Sequence, residues 1–491
     1  MTNLEITKHD KLADKLSDVP VGLDVGVHFE EDPSQQSRER VGEGQLRGVY
    51  ISTYGCQMNV NDSERMYALL EMQNYVPVSS PEQASLIIIN SCSVREKPVH
   101  KVHSEVGRYR KLKELNPQLK IGVGGCVGQQ EKDKLIQDIP LLDFVFGTDS
   151  IDNLPGILSE LDHTQRRLVS AKFAHQAPYH IETMVRNPGV TTFVNITKGC
   201  DNFCTFCVVP FTRGRERSRP LQHVVEDVRK LVKRGVREVT LLGQNVNSYK
   251  SECGAHFARL LQALAEETDI LRIRYTTSHP KDFTEELVEI SQKYRSKICD
   301  YVHLPVQSGS SPVLARMNRG YSREEYIDKA QMILQGIPGV ALSTDIIVGF
   351  PGETAEQFAE TMSLLDVVPY ESIFAFKYSP RPFTKAARFT EQIDEQEKSR
   401  RLEDLFAKHR TIGFALAQKY EGRCLDVLIE EVNLTRGVYS GRSTQNKLVH
   451  FSSTQPLVSE NVGKVVPVRI TRAAPQTLRG EWIGVDEGLE A

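Results

Sequence analysis

The chain has 491 residues, of which 40% are hydrophobic and 25% are charged, and its formal net charge is −3. This length predicts about three domains, and the composition excludes a disordered or membrane-embedded chain. The slightly acidic balance excludes a protein that binds nucleic acid through its overall charge, so any contact with RNA must be local.

The first segment, 1–48, is polar, carries little periodicity and contains no apolar signal core. We expect a polar N-terminal extension and a cytoplasmic protein with no membrane partner. Nine cysteines, an odd number in a long chain, do not resemble the disulfide framework of a small secreted domain. In a reducing compartment, clustered cysteines are expected to bind metal or to act as redox groups.

The next segment, 49–165, alternates short apolar runs with helical stretches, which predicts a parallel α/β domain with crossover helices. A charged, proline-containing stretch over 163–188 is interpreted as the linker to the following domain. Strands are predicted over 49–54, 86–89 and 121–123, and helices are predicted to begin near Asn61, Lys97 and Gln129.

A second alternating series fills the segment 186–415, and the helix after Pro220 has its apolar residues on one face. Six strand and helix units suit an open, partial (β/α)6 barrel. The strands are predicted over 192–197, 237–242, 271–275, 301–304, 341–348 and 372–378.

The C-terminal part changes pattern again. After a charged helical run over 391–410, residues from about 416 to 484 alternate with period two, which predicts a small all-β module. Residues 419–481 contain nine Lys and Arg against six Asp and Glu, so this module can contact phosphate. Trp482, the only tryptophan, is interpreted as part of its core.

One loop carries the spacing C-x3-C-x2-C, formed by Cys200, Cys204 and Cys207 just after the first strand of the second series. Three thiolates on one loop can hold three irons of a 4Fe–4S cluster and leave the fourth iron open for S-adenosylmethionine (SAM). A structural zinc site is one alternative, but it requires four ligands and no fourth lies nearby in sequence. Three inert buried thiols are another.

Three further cysteines, Cys56, Cys92 and Cys126, each follow a predicted strand. They are separated by 36 and 34 residues, about one βα crossover each. Because parallel strands share a carboxyl edge, these cysteines can converge and are predicted to hold a second cluster with a free iron. Core cysteines in small turns are the alternative. The remaining cysteines, Cys253, Cys299 and Cys424, show no such pattern and are interpreted as structural.

Four segments, 199–219, 241–249, 303–310 and 343–353, carry long motifs that resemble the radical-SAM methylthiotransferase family. The resemblance spans roughly 49–484. It implies a methylthiotransferase N-terminal domain over 49–165, a radical-SAM domain over 186–415 and a TRAM RNA-binding domain over 416–484. It also implies that Cys56, Cys92 and Cys126 hold an auxiliary 4Fe–4S cluster, and that Cys200, Cys204 and Cys207 hold the radical-SAM cluster.

Two positions depart from the family pattern. Phe383 stands where many relatives have glycine after Arg-Pro, and Gly128 stands where alanine is common. Neither is a ligand position, so only the local shape of the loop is in doubt.

The motifs are most similar to the family's bacterial tRNA group, which converts N6-isopentenyladenosine next to the anticodon into its 2-methylthio derivative. The C2 hydrogen of adenine is neither acidic nor readily displaced, so a radical and a cofactor must supply the chemistry. The resemblance implies that one SAM donates a methyl group to sulfur at the auxiliary cluster, while a second is cleaved to a 5′-deoxyadenosyl radical that takes this hydrogen. We further expect a monomer that receives electrons from a donor such as flavodoxin or ferredoxin.

Candidate SAM contacts lie on the cluster loop and near the ends of the predicted strands. Phe206 lies between the second and third cysteines, where its ring or backbone can meet adenine. Polar capping of strand ends is the alternative for the other candidates. These are Gln244, Asn245, Ser278, Gln307 and Asp345.

Four arginines alternate just past the cluster loop and are candidates to bind tRNA phosphates or the SAM carboxylate. Salt bridges at the surface are the alternative. The four are Arg213, Arg215, Arg217 and Arg219.

Two other functions stay open. One is a methylthiotransferase that acts on a differently modified adenosine or on a ribosomal-protein carboxylate side chain, since the sequence does not expose the target pocket. The other is a two-cluster electron carrier, although six βα units and a β module exceed what electron relay needs. Release of 5′-deoxyadenosine from SAM distinguishes the enzyme from the carrier.

Overall fold

The computed structural model describes residues 46–93, 98–173, 179 and 181–483. They form three α/β or β modules in chain order. Residues 1–45 of the predicted N-terminal extension, and residue 484 at the predicted C-terminal boundary, lie outside the described residues. Within these ranges, no helix combines the length and the apolar composition that crossing a membrane requires.

The first module is a six-stranded, fully parallel sheet in the order β2-β1-β3-β4-β5-β6. The strand formed by Leu86–Ser91 is buried on both faces, because Leu86 and Ile88 pack in one core while Ile87 and Ile89 pack in the other. The strands are β1 Arg47–Tyr54, β2 Tyr75–Pro77, β3 Leu86–Ser91, β4 Lys120–Gly124, β5 Phe144–Phe146 and β6 Leu168–Ser170, and the helices are α1 Gln57–Glu71, α2 Pro98–Arg108, α3 Arg110–Leu115, α4 Gly125–Glu131, α5 Asp133–Asp138 and α6 Leu154–Thr164.

The sequence pattern did not predict three strands of this sheet. Strands β2, β5 and β6 are each three residues long, which is too short for a periodic pattern to show. Strand β6 lies inside the segment interpreted as a linker and closes one edge of the sheet. Helices α1 and α4 also begin four residues earlier than predicted, at Gln57 and Gly125.

The second module has the six parallel strands expected of a partial barrel. They pair in two groups of three, β7-β10-β11 and β12-β13-β14, and a single bridge between Ile273 and Ile298 joins the groups. The six strands are β7 Thr191–Asn195, β10 Glu238–Leu242, β11 Arg272–Tyr275, β12 Tyr301–His303, β13 Ala341–Val348 and β14 Tyr370–Lys377, while β8 Thr197–Lys198 and β9 Arg217–Ser218 form a separate antiparallel pair. The helices are α7 Val209–Thr212, α8 Leu221–Lys233, α9 Phe257–Glu267, α10 Glu285–Lys293, α11 Ser311–Arg316, α12 Arg323–Gly336 and α13 Ala355–Val367.

The third module is a closed five-stranded barrel in the order β15-β16-β17-β19-β18. It follows helix α14, which extends to Gln418, so the strand-like pattern predicted from residue 416 is wrong for its first residues. Trp482 packs against the module's core, 5.9 Å from the Tyr439 ring. The elements are α14 Glu395–Gln418, β15 Cys424–Asn433, β16 Val438–Ser443, β17 Leu448–Ser452, β18 Val465–Ala473 and β19 Thr477–Trp482.

Two buried arginines of β11 attach the C-terminal barrel to the partial barrel. Arg272 donates to the carbonyl oxygens of Arg442 and Asp426 at 2.7 and 2.8 Å. Arg274 donates to those of Thr444 and Ser443 at 2.9 and 2.5 Å. Because both side chains are almost fully buried, these charged hydrogen bonds hold the two modules in a fixed relative orientation.

Replacing Arg272 by lysine tests this attachment. Lysine keeps the charge but lacks the planar fork that reaches two carbonyl groups, so we expect the free energy of unfolding to fall by about 2 kcal/mol. Chemical denaturation of the purified protein measures the change. The exposed Arg259 on α9 provides the matched control, since Arg259→Lys should leave the free energy of unfolding unchanged. Equal stability of both variants would mean that the arginine fork does not hold the barrel.

Candidate active site

Three cysteines meet at the carboxyl edge of the first sheet. Cys56 precedes α1, Cys92 follows β3, and Cys126 lies in the first turn of α4, directly after β4. Strands β1, β3 and β4 are neighbours, so their ends are adjacent. The Cys92 N–H donates to the Tyr54 carbonyl at 3.1 Å, and the Cys92 thiol hydrogen-bonds to Cys56. The fold thus brings together side chains that are far apart in sequence.

Two glycines make this convergence possible. Both have left-handed backbone angles, with φ +130° at Gly55 and +79° at Gly125, which glycine adopts without steric cost. A methyl group at Gly55 would lie 2.2 Å from Cys92 Cβ, and one at Gly125 would lie 2.3 Å from Asn90 Oδ1. A larger residue at Gly55 would therefore displace Cys92, and one at Gly125 would displace Asn90.

Two buried asparagines, which the sequence interpretation missed, connect the cysteine-bearing segments. The Cys56 thiol donates to Asn59 Oδ1 at 3.4 Å, and Asn59 Nδ2 donates to Asn90 Oδ1 at 3.1 Å. Asn90 Nδ2 in turn donates to the Asn59 carbonyl at 2.8 Å and to Ser63 Oγ at 2.9 Å. Each asparagine lies within three residues of a cysteine in sequence, which is the pattern that could have identified them.

The cysteines of this triad lie beside a buried ion pair. Arg213 Nη2 lies 2.7 Å from Asp62 Oδ2, and both side chains are less than one-tenth exposed. A hydrogen bond from Cys92 lowers the pKa of the Cys56 thiol to about 6. Burial raises this pKa, whereas the charge of Arg213 lowers it further. Burial raises the pKa of the Cys126 thiol, and Arg213 opposes that shift. A positive group therefore favours the thiolate form that a metal cluster requires.

The Cys200 loop is held in place from several directions. Asn318 Nδ2 donates to the carbonyl oxygens of Asn202 and Phe203, each at 3.1 Å. The Thr205 N–H donates to the Met317 carbonyl at 2.9 Å. These bonds pin the turn that carries the second and third cysteines of the loop.

The chemistry of the Cys200 loop fits a cluster. Arg319 Nη1 donates to Cys204 Sγ at 3.4 Å. Burial raises the pKa of the Cys200 thiol to about 11 and that of Cys207 to about 12, so a strong local cation is needed for the thiolate forms, and bound iron supplies one. Among the described residues, no group of three His, Cys, Asp or Glu side chains is arranged to hold a single metal ion. The three thiolates of a cluster bind different irons, so they do not need the close spacing of a zinc site.

The two cysteine triads are structurally connected. Arg213 comes six residues after Cys207, and its guanidinium reaches both Asp62 and the Cys126 thiol. Helix α7, between Cys207 and Arg213, packs on α4, and Thr148 Oγ1 donates to the Thr212 carbonyl at 2.8 Å. The segment that leaves one triad therefore forms part of the wall of the other.

A small polar cavity also lies between the first two modules. Its volume is about 120 Å³, and charged residues of both modules line it, including Asp62, Asp149, Lys198 and Arg217. This volume is well below the roughly 300 Å³ of a small ligand pocket. The cavity therefore suits an ion-pair network at the interface rather than a substrate.

Among the predicted SAM contacts, Gln244 and Asn245 are already engaged by the protein. Gln244 Oε1 accepts a hydrogen bond from the Gly199 N–H at 2.5 Å, at the start of the cluster loop. Asn245 Nδ2 donates to Asp282 Oδ2 at 2.7 Å, and its Oδ1 accepts from the His279 N–H at 3.1 Å. In this arrangement both residues position the backbone around the loop.

Ser278 and His279 offer polar atoms that have no protein partner among the described residues. Both residues are buried, and the unpartnered atoms are Ser278 Oγ and His279 Nε2. Burial, together with Arg319 and Lys281, lowers the pKa of His279 to about 2, so its ring is neutral. Since buried polar atoms are rarely left unpaired, a bound ligand can satisfy them. The sequence interpretation named Ser278 but missed His279.

The remaining predicted SAM contacts lie farther along the barrel. The Gln307 N–H donates to the Asp345 carbonyl at 2.8 Å, and Gln307 has a left-handed φ of +74°. The Asp345 carboxylate lies 3.4 Å from His303 Nε2. Phe206 is half-buried and packs against a small apolar cluster below the loop. No ligand tests these six assignments, and they stay predictions.

The four alternating arginines all form ion pairs. Arg213 and Arg219 are 3% and 1% exposed, so these two are buried away from RNA. Arg217 is mostly buried, whereas the Arg215 side chain is 65% exposed and stays a candidate for phosphate. Their partners, in chain order of the arginines, are Asp62, Asp201, Asp149 and Asp227, at 2.7, 2.7, 2.9 and 2.6 Å.

Family models match three parts of the chain. Residues 194–365 match the Radical SAM superfamily, and residues 418–483 match the TRAM domain. Residues 48–147 match a family described as Uncharacterized protein family UPF0004. The three matches fall on the partial barrel, the C-terminal barrel and the first sheet, respectively.

Known proteins resemble the chain over most of its length. A protein of Bdellovibrio bacteriovorus, named tRNA-2-methylthio-N(6)-dimethylallyladenosine synthase, is 62% identical over 440 residues, covering 90% of this chain and 96% of the relative. A protein of Carboxydothermus hydrogenoformans with the same name is 44% identical over 439 residues, covering 88% and 99%. Among solved structures, the radical S-adenosylmethionine methyltransferase TsrM from Kitasatospora setae matches with TM-score 0.51 and 15% identity, over 81% of each chain, which supports the fold alone.

Proposed function

We propose that this chain transfers a methylthio group to C2 of N6-isopentenyladenosine next to the anticodon of tRNA. The premise is that the chain belongs to the tRNA-2-methylthio-N(6)-dimethylallyladenosine synthase family of radical-SAM methylthiotransferases. Family membership makes the chain a radical-SAM enzyme that modifies tRNA and uses SAM and a 4Fe–4S cluster. We propose in addition the identity of the substrate, the use of two SAM molecules and the presence of a second cluster. The observation that carries it is the pair of cysteine triads joined through Arg213.

The chain's residues divide into two groups with separate tasks. Cys200, Cys204 and Cys207 would hold a cluster that supplies the electron for reductive cleavage of one SAM, and Cys56, Cys92 and Cys126 would hold a second cluster at which a second SAM would methylate sulfur. Arg319 holds Cys204 in position by a charged hydrogen bond.

In the auxiliary triad, Asn59 and Asn90 fix the spacing of Cys56 and Cys92, because each bonds to the segment that carries the other. Arg213 compensates the negative charge of the thiolates without contact with solvent. Burial of Cys92, Cys126 and Arg213 keeps water out of this part of the site, and exclusion of water protects a carbon-centred radical from side reactions.

The proposed partners follow from the reaction. The tRNA binds across the partial barrel and the C-terminal barrel, whose residues 419–481 carry the local positive excess. Reductive cleavage needs one electron at a time, which we assign to a small protein donor such as flavodoxin or ferredoxin. We propose that the enzyme acts as a monomer.

Anaerobic reconstitution with iron and sulfide tests the substrate. The holoenzyme, supplied with SAM, a reductant and tRNA that carries N6-isopentenyladenosine, is expected to release 5′-deoxyadenosine and to yield the 2-methylthio nucleoside in mass spectrometry. The same tRNA without the isopentenyl group is the control and should stay unmodified. SAM cleavage with unmodified isopentenyladenosine would instead favour a different adenosine or a protein carboxylate as target. No cleavage by cluster-loaded protein would favour an electron carrier.

A further inference from the structure

An exposed pair of aromatic rings stands beside the Cys200 loop. The Phe211 and Phe383 ring centroids are 5.8 Å apart at 37°, and the residues are 44% and 58% exposed. Phe211 lies on α7, four residues after Cys207. Phe383 lies in the loop after β14, and the Ala386 N–H of that loop donates to the Thr205 carbonyl at 2.8 Å. The pair therefore lies at the rim of the loop that carries the radical-SAM cysteines.

The backbone at Phe383 has a shape that favours glycine. Its φ is +69°, and the Thr384 N–H and Oγ1 both bond to the Arg381 carbonyl, at 3.3 and 2.7 Å. Proline at the second position and a positive φ at the third are typical of a type II turn, in which the third residue is usually glycine. The phenyl ring is 58% exposed, so its burial offsets little of the strain of this backbone conformation. Neither the turn nor the core thus explains a phenylalanine at this position.

The chain segment around Phe383 is positively charged. Residues 372–390 contain four Lys and Arg and no Asp or Glu, and Lys385 and Arg388 of this segment are exposed. Exposed aromatic rings among basic side chains are the usual surface on which proteins bind unpaired bases of RNA. An acidic protein partner would use the charges but would have no need of two rings.

We propose that Phe211 and Phe383 form a stacking platform for an unpaired base next to the target adenosine in the loop of the RNA substrate. This inference rests on the proposed function, because it takes the tRNA loop as the ligand. A base held on the rim opens the stack of the loop, so the neighbouring adenosine can leave the stack and approach the Cys200 loop. The platform then selects RNA whose target lies in a single-stranded loop.

Phe383→Gly separates this role from a structural one. Glycine suits the left-handed turn, so the thermal midpoint should stay the same or rise. Removal of one stacking face should weaken binding of an RNA hairpin with N6-isopentenyladenosine in its loop on the order of tenfold. Fluorescence anisotropy with anaerobic, SAM-loaded holoenzyme measures the dissociation constant. Phe406→Ala, which removes a 38% exposed ring from α14, is the matched control and should bind as the unaltered protein does.

A second hairpin, with abasic sites on both sides of the modified adenosine, identifies the contact. The unaltered enzyme and the Phe383→Gly variant should bind it alike, since the base that stacks is missing. Undiminished binding of the normal hairpin by the variant, or a loss that persists on the abasic hairpin, would overturn the platform. So would normal RNA binding with slowed reduction by a protein donor, which would assign the pair to the reductant. Failure of the unaltered enzyme to bind or modify the hairpin would refute the proposed function itself, and the platform with it.

Discussion

Cys204→Ala is expected to abolish SAM cleavage, whereas Cys92→Ala is expected to retain it and lose only methylthio transfer. The reason is the separation of the triads, because Cys204 lies on the loop held by Arg319 while Cys92 lies at the end of β3 in the first sheet. Each variant should also keep roughly half of the bound iron, since one of two proposed clusters is lost. Product analysis for 5′-deoxyadenosine and for the modified nucleoside, together with iron determination, measures both effects.

Cys253→Ala is the matched control for these variants. Its thiol is exposed and hydrogen-bonded to Ser251, away from both triads, so cleavage, transfer and iron content should all be retained. Equal loss of SAM cleavage in Cys204→Ala and Cys92→Ala would contradict the division of tasks between the two triads.

Arg213→Met is expected to lower the free energy of unfolding of the metal-free protein by about 3–5 kcal/mol. The change leaves the Asp62 carboxylate buried without its partner, and the cost of an uncompensated buried charge is of this size. Chemical denaturation followed by circular dichroism gives the value. Replacing both residues, as in Arg213→Met with Asp62→Leu, should recover part of the loss, because no charge then stays buried.

The neighbouring Arg215 supplies the comparison for that measurement. Its side chain is 65% exposed and bonds to Asp201, and an ion pair in water contributes little, so Arg215→Met should cost less than about 1 kcal/mol. Similar losses for the two arginines would show that burial of the Arg213 pair does not stabilise the contact between the modules.

The sequence predicts the main architecture because long, regular patterns survive in it. The six barrel strands, including Ala341–Val348 at its predicted bounds, and the β-rich C-terminal module are recognisable from periodicity. Strands of three residues such as Phe144–Phe146 are not, since their positions are fixed by pairing with neighbours that are distant in sequence. Helix α1 begins at Gln57 for a similar reason, as the turn at Gly55 is set by contact with Cys92.

The site shows the same limit. Spacing identified both cysteine triads as candidates, because a cluster loop and strand-end positions have regular sequence separations. Burial has no such pattern, so the sequence could not distinguish the buried Arg213 and Arg219 from the exposed Arg215 in one alternating run. Nor could it pair Arg213 with Asp62, which is 151 residues away.

The attachment of the C-terminal barrel has a consequence for variation among proteins of this kind. In the C-terminal barrel, Arg272 and Arg274 donate only to main-chain carbonyl oxygens, and every amino acid has a main-chain carbonyl group. The bonds made by these two arginines therefore place no constraint on the side chains at 426, 442 and 443. The side chain at 444 does take part in the contact, because Thr444 Oγ1 donates to Asp300 Oδ2 at 3.1 Å. Substitutions on the outer surface of the C-terminal barrel can therefore accumulate while these four hydrogen bonds to the partial barrel are preserved.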